Sequence, residues 1–177
     1  MKSFASLIKT RRSCRKFDTK DIPPDYISQI LEAALCSPTA RNSRKWKFYL
    51  IDDTALLEKL SDSKERGSQF IKDSRVSVVI SCDEKEDTFW IEDCSIAAIT
   101  MQYQAEDLGL VSCWCQIRGF FLSDGTSSEQ IVRGIANIPD TERVHSIISF
   151  GYPHPDAEKS PDRELLWERV TIVENEN

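Results

Sequence analysis

The feature that most constrains the fold is one long amphipathic segment in the middle of the chain. Trp90, Cys94, Ala97, Ala98, Met101, Ala105 and Leu108 recur at three- and four-residue spacing, drawing one apolar face over about five helical turns. Gly109 follows and suits the left-handed cap that ends a helix. The apolar run Leu110 to Cys115 then reads as a strand. A helix of this length with one apolar face is expected to be the central helix, packed against the rest of the core.

The flanking segments alternate between the two periodicities. Ser3 is placed to cap a short helix through Ile8, after which the chain is expected to be extended as far as Phe17. Pro23 and Pro24 suit a helix start, and Tyr26, Ile27, Ile30, Leu31 and Ala34 carry an amphipathic helix to about Leu35, stopped by Ser37-Pro38. Trp46, Phe48 and Leu50 alternate with Lys45, Lys47 and Tyr49, the pattern of a half-buried strand whose Trp and Phe face the core. Leu56, Leu57 and Leu60 mark a helix, and Val76 to Ser81 a buried strand. Ser127-Ser128-Glu129-Gln130 predicts a capping box ahead of Ile131 to Ile135, and Val144 to Phe150 a last core strand. The final 27 residues hold Pro153, Pro155 and Pro161 yet carry Leu165, Leu166, Trp167, Val170, Ile172 and Val173, apolar content that wants a partner surface.

Length and charge set the bounds. At 177 residues and 40% hydrophobic content, the chain is read as one domain over residues 1–177. A net charge of -6 argues against nucleic acid or an anionic membrane as partner. No apolar stretch approaches the roughly 18 residues of a membrane span, and no signal-peptide core is visible, so a cytoplasmic protein is expected. The six cysteines are then expected to be thiols. Cys113-Trp114-Cys115 falls short of a metal site, and His145 and His154 lack partners for a metal triad or a Ser-His-Asp relay, so no metal is expected. His154, between two prolines, is read as a surface-loop residue.

Within this acidic chain, Lys9-Thr10-Arg11-Arg12-Ser13-Cys14-Arg15-Lys16 places five cations in eight residues. Guanidinium groups fork onto phosphate oxygens and Ser13 adds a hydroxyl, so the run reads as an anion grip at a helix exit. A solvated basic helix end complementing the dipole is the alternative.

Three further segments bear on the choice: Ser37-Pro38-Thr39-Ala40-Arg41-Asn42-Ser43-Arg44-Lys45-Trp46-Lys47-Phe48, Ala105 to Trp114 with its Leu108-Gly109-Leu110, and Ile148-Ser149-Phe150-Gly151-Tyr152-Pro153 with an Arg in the tail beyond. With Arg11 to Phe17, and in this order, they resemble the FMN-dependent nitroreductase family over nearly the whole chain. The resemblance implies an α+β fold with a mixed, mainly antiparallel central sheet flanked by helices. It also implies a homodimer with a C-terminal extension exchanged between chains and FMN bound at the interface.

What the resemblance implies for single residues is specific. Arg11 and Ser13 would hold the flavin phosphate and ribityl chain, with Arg12 assisting, and Arg15 would sit by the pyrimidine edge, where a cation stabilises the reduced ring. Pro38, Thr39, Ala40 and Asn42 would form a second wall, although the same residues also suit an ordinary helix-ending turn. Arg44-Lys45 stands where the family has Gln-Pro, which places Arg44 on the substrate side. Gln116 and Ile117 would line the flavin, with a register tolerance of one residue. Arg163 would reach the phosphate, Lys159 and Arg169 being the alternatives. Cys14 lies among cations that attract a thiolate, but the family chemistry uses no sulfur nucleophile, and it is read as inert filler.

The implied reaction is a ping-pong transfer of electrons from NADH or NADPH, through FMN, to a nitroaromatic, quinone or related conjugated acceptor. No protein acid-base residue is required. Another flavin-dependent reduction, such as dehalogenation or ene reduction, and a non-catalytic FMN-binding or storage protein are the alternatives.

Overall fold

The computed structural model describes residues 2–157 and 163–173. Its helices are α1 (Phe4–Thr10), α2 (Pro24–Leu35), α3 (Thr54–Ser61), α4 (Trp90–Asp107) and α5 (Ser128–Ala136). Its strands are β1 (Lys47–Ile51), β2 (Val76–Cys82), β3 (Val111–Gln116) and β4 (Arg143–Gly151). The strands form one antiparallel sheet in the order β1-β2-β4-β3. The expected α+β class with a mainly antiparallel sheet is therefore what the chain adopts. Its mixed character rests, among the described residues, on a lone parallel bridge between Ser13 and Ser112 at the β3 edge.

Each face of the sheet carries its own core. On one side α2 and α4 bury Ile30, Ala34, Ala97, Ala98, Met101 and Ala105 against Val78, Ile80, Ile148 and Phe150. On the other, α3, α5 and the 3-10 turn Gln69–Asp73 pack Leu57, Leu60, Phe70, Ile71 and Val132 against Val79, Cys113, Cys115 and Ile147. β2 and β4 are covered on both faces, which explains their unbroken apolar runs. Alanines along α4 let it lie close to the strands and to α2.

α4 ends as its sequence predicts. Gly109 adopts φ 77°, its N–H donates to Glu106 O at 3.2 Å, and Leu110 N donates to Ala105 O at 2.9 Å. That pair of bonds is the Schellman closure, and it turns the chain directly into β3.

Three local expectations are corrected. α1 continues past Ile8 to Thr10, whose hydroxyl bonds Ser6 O and Glu106 Oε1, so the basic run starts inside the helix. Trp46 is buried but precedes β1, and Leu50 is exposed, because β1 is an edge strand whose outer reach α2 leaves uncovered. The capping box at Ser127 does not form. Ser127 makes no side-chain cap bond, and Glu129 is instead buried, pairing with Arg143 at 2.8 Å and accepting from Val144 N at 3.3 Å. His154 lies in a loop with its side chain 43% exposed, as the sequence predicts.

Candidate functional site

The basic segment owes its position to two sets of main-chain bonds. α1 closes with Arg11 N on Leu7 O, and the chain then runs beside β3, with Cys14 N donating to Ser112 O at 3.0 Å. Further on, Asp18 N donates to Tyr152 O at 2.9 Å and His154 N to Lys16 O at 3.2 Å. Phe17 pins the middle by packing onto Gly151, where an added Cβ would fall 2.8 Å from Phe17 Cδ1. A side chain at position 151 would push the segment off the sheet.

This docking spreads the cations about the sheet edge. Arg11 reaches α4, with Nη1 3.4 Å from Gln102 Oε1, and Arg15 Cζ lies 6.0 Å from the Phe70 ring centroid on the other face. Arg12 Nη1 donates to Lys9 O at 2.7 Å, while Ser13 and Arg15 are exposed. Arg15 also borders a hollow of about 520 Å³ lined by Lys16, Lys72, Arg75, His154 and Asp156. Burial pushes the thiols of Cys113 and Cys115 up to about 11, and Arg15 offsets part of the effect at both.

The end of β3 adds two cations that sequence reasoning missed. Lys64 Nζ donates to Gln116 O at 3.0 Å and stands 3.6 Å from the Phe120 ring centroid. Arg118 stacks 6.0 Å from Trp90, and its Nε is buried without a hydrogen-bond partner among the described residues. Only the Arg118-Gly119 turn after the strand hinted at the second, and nothing local marks Lys64. Gln116 is held by Trp114 Nε1 on its Oε1 at 3.0 Å and by its own donation to Arg118 O. Ile117 is fully buried in the core, so only its main chain is available to a ligand.

His145 fixes this turn. Its carbonyl accepts from Ile117 N at 3.3 Å and Arg118 N at 3.1 Å, and its ring lies between Trp90 and Trp114 with Ser95 and Ser146 on its nitrogens. Burial, with the Arg118 charge adding, pushes its pKa down to about 4, so the ring is neutral at pH 7. Its role is structural.

The second predicted wall is anchored elsewhere on α4. Ala40 N donates to Asp93 Oδ1 at 2.9 Å, and Ser43 Oγ bonds Asp87 at 2.8 Å and Asp93 at 3.2 Å. Burial, with Asp87 adding, raises the Asp93 pKa. Thr39 Oγ1 accepts from Arg44 N, and Asn42 Oδ1 from Arg44 Nε at 3.1 Å. Arg41, Asn42 and Arg44 all have φ near 50°. Three such residues within four positions make a strained, tightly specified loop that leaves Pro38, Asn42 and Arg44 exposed. Asp93 and Gln102 are nine residues apart on α4, about 13 Å along its axis. The two walls therefore meet the helix at different heights. Arg163 is exposed on the tail, Arg169 pairs with Glu168 at 4.0 Å, and Lys159 lies outside the described residues.

Chemically, the basic segment and the turn after β3 bring guanidinium and ammonium groups to the edge of the sheet. Among the described residues no group of three or more His, Cys, Asp or Glu could hold a metal ion, and no helix is long and apolar enough to cross a membrane.

The fold and this edge define a flavoprotein-type α+β reductase scaffold, and the Nitroreductase family model matches residues 8–90 and 62–152. The chain belongs to the nitroreductase family. It is 35% identical over 162 residues to a Methanothermobacter thermautotrophicus protein provisionally named NADH dehydrogenase/NAD(P)H nitroreductase, spanning 90% of this chain and 80% of that one. The solved FMN-dependent nitroreductase from Clostridium difficile R20291 superposes with a TM-score of 0.91 at 33% identity, covering 97% of this chain and 100% of that chain. A Thermotoga neapolitana iodotyrosine deiodinase is 22% identical over 180 residues, 94% of this chain and 97% of that protein.

Proposed function

We propose that this chain is an FMN-dependent oxidoreductase that moves electrons from NADH or NADPH to a nitroaromatic, quinone or related conjugated acceptor. The observation that carries the reading is the docked segment 11–17. It presents Arg11 beside Gln102, whose Nε2 is buried without a hydrogen-bond partner among the described residues. An orphaned amide donor next to a loosely engaged guanidinium suits a phosphate oxygen, since an unpaired buried donor costs roughly 1–3 kcal/mol. The residues present therefore fit the group.

Bound FMN would supply the hydride-accepting and hydride-donating centre. In this reading Arg11, Arg12 and Ser13 hold the phosphate and ribityl chain, and Arg15 sets a positive charge at the ring edge. The main chain at Gln116 and Ile117 supplies a wall whose conformation Lys64 and His145 fix through hydrogen bonds. Pro38, Thr39, Ala40 and Asn42 form the second wall, and Arg44, where relatives carry Gln, faces the acceptor. The role of the protein is to position and polarise, which is why no acid-base pair is needed.

The site is shared between two copies in this proposal. The two walls meet α4 about 13 Å apart. Leu165, Trp167, Ile172 and Val173 are 67–92% exposed, and the open β1 edge carries an apolar hollow lined by Leu31, Leu35, Trp46, Phe48 and Leu50. A tail and an edge of this kind complement each other across a homodimer, and Arg163 travels with the tail to the phosphate.

Equilibrium titration tests the grip. Arg11→Ala should weaken FMN by roughly tenfold or more and Lys16→Ala much less, because a charge-assisted fork is worth about 1.5–3 kcal/mol. Equal affinities would reduce the segment to a charged surface. Anaerobic absorbance tests the donor. NADH or NADPH should bleach the flavin and menadione or a nitroaromatic restore it, whereas no bleaching by either nicotinamide would favour a flavin-binding protein. Iodotyrosine belongs in the acceptor panel, because the deiodinase likeness favours reductive dehalogenation as a second reading.

A further inference from the structure

The segment carrying Ser13 and Cys14 runs parallel to β3, with Ser13 bridged to Ser112 and Cys14 N bonded to Ser112 O at 3.0 Å. If the segment keeps the register of the bridge for one more residue, Cys14 stands opposite Cys113 on the same face of the sheet. Adjacent strands lie about 4.8 Å apart, inside the ~4.4–6.8 Å Cα separation a disulfide spans.

Both residues are thiols, Cys14 half-buried and Cys113 buried. Cys14 Sγ rests on Lys16 O at 3.3 Å, a weak bond that a rotation about χ1 releases. Burial dominates the raised pKa of Cys113, while Arg15 lowers it and Cys14 raises it.

We propose that Cys14 and Cys113 form a hydroperoxide-reactive disulfide site at the edge of β3. Cys14 reacts first, because it is the more accessible of the two thiols. Its thiolate attacks one oxygen of the hydroperoxide. An S–O bond forms, the O–O bond breaks, and hydroxide or alkoxide leaves. The Cys113 sulfur then attacks the sulfur of the sulfenic acid. An S–S bond forms, the S–O bond breaks, and the departing hydroxide takes the Cys113 proton as water. Two thiols lose two electrons and the peroxide gains them. The bond would fasten the segment bearing Arg11 and Ser13 covalently to β3. It needs only an external hydroperoxide and no bound flavin, so it stands apart from the oxidoreductase reading.

The experiment uses the full chain with exposed Cys36 replaced by Ser, treated with hydrogen peroxide, alkylated in denaturant and weighed intact. The expected result, against the reduced and alkylated control, is three alkyl groups instead of five and a further loss of about 2 Da for the two thiol hydrogens, both reversed when dithiothreitol precedes alkylation. Trypsin should release Ser13-Cys14-Arg15 joined to the fragment running from Glu86 to Arg118. That fragment also holds Cys94 and Cys115, so the link should survive Cys94→Ser and Cys115→Ser and vanish in Cys14→Ser and Cys113→Ala. Circular dichroism checks that Cys113→Ala folds, and Cys14→Ser, near the surface, gives an independent arm. The proposal is overturned if Cys14 gains one to three oxygens without forming the link, or if the link persists in a folded Cys113→Ala protein.

Discussion

Gly151→Ala is the substitution most directly aimed at what holds the basic segment in place. The added Cβ would lie 2.8 Å from Phe17 Cδ1 and 3.1 Å from Phe17 Cβ and Cγ. Turning the phenyl ring relieves the first contact but not the second, since Phe17 Cβ moves only with the backbone. Residues 16–18 must therefore lift, straining the bonds from His154 N to Lys16 O and from Asp18 N to Tyr152 O. Overpacking of this kind costs about 1–3 kcal/mol. For a chain of 177 residues, a loss of ~2 kcal/mol lowers Tm by about 4–8 °C. Thermal and urea unfolding of Gly151→Ala, Phe17→Leu and the double variant measure the effect and its source. The smaller Leu should absorb part of the methyl, so the double variant should lose less than the sum of the singles, by about 1 kcal/mol. FMN affinity should fall with Gly151→Ala, because Arg11 and Ser13 ride on the displaced chain. A Gly151→Ala protein within about 0.5 kcal/mol of the parent, or strict additivity with Phe17→Leu, would refute the reasoning.

Three other outcomes are expected. His145 has a folded pKa of about 4 against an unfolded value near 6.5, so the unfolded chain binds the extra proton first. Stability should then fall as pH drops from about 6.5 towards 4, by up to roughly 3 kcal/mol, and urea unfolding of His145→Gln should show a flatter slope in that window. Glu142→Gln should cost roughly 1–3 kcal/mol, because this buried carboxylate accepts from Lys47 Nζ at 2.6 Å, Tyr49 Oη at 2.9 Å and Ser81 Oγ at 2.6 Å. Lys47 and Tyr49 lie on the edge strand, so hydrogen exchange in β1 should speed up before that in β4. Truncation after Pro155 should yield a monomer that has also lost FMN, read by sedimentation at micromolar concentration; a flavin-loaded monomer would remove the shared-interface model.

The sequence by itself determined the elements and their faces wherever one periodicity dominated. α4, its Gly109 closure and the strand after it were legible because the apolar stripe and the cap are local facts. The same holds for α2 behind its proline pair and for the charge cluster at Arg11 to Lys16. Tertiary structure overruled the local signal where a stronger long-range partner existed. Glu129, in the first turn of α5, turns inward because Arg143 and Val144, fourteen and fifteen residues on, offer a bidentate and buried home. Leu50 continues an alternating pattern yet faces solvent, because strand order makes β1 an edge, and order is not encoded in alternation. Lys64 and Arg118 joined the candidate site only through folding, since the loop of one must reach the strand end of the other. The cation cluster was thus readable from residue types, whereas the depth, the neighbours and the register that set Ser13 against Ser112 arise from chain segments about a hundred residues apart meeting at one sheet edge.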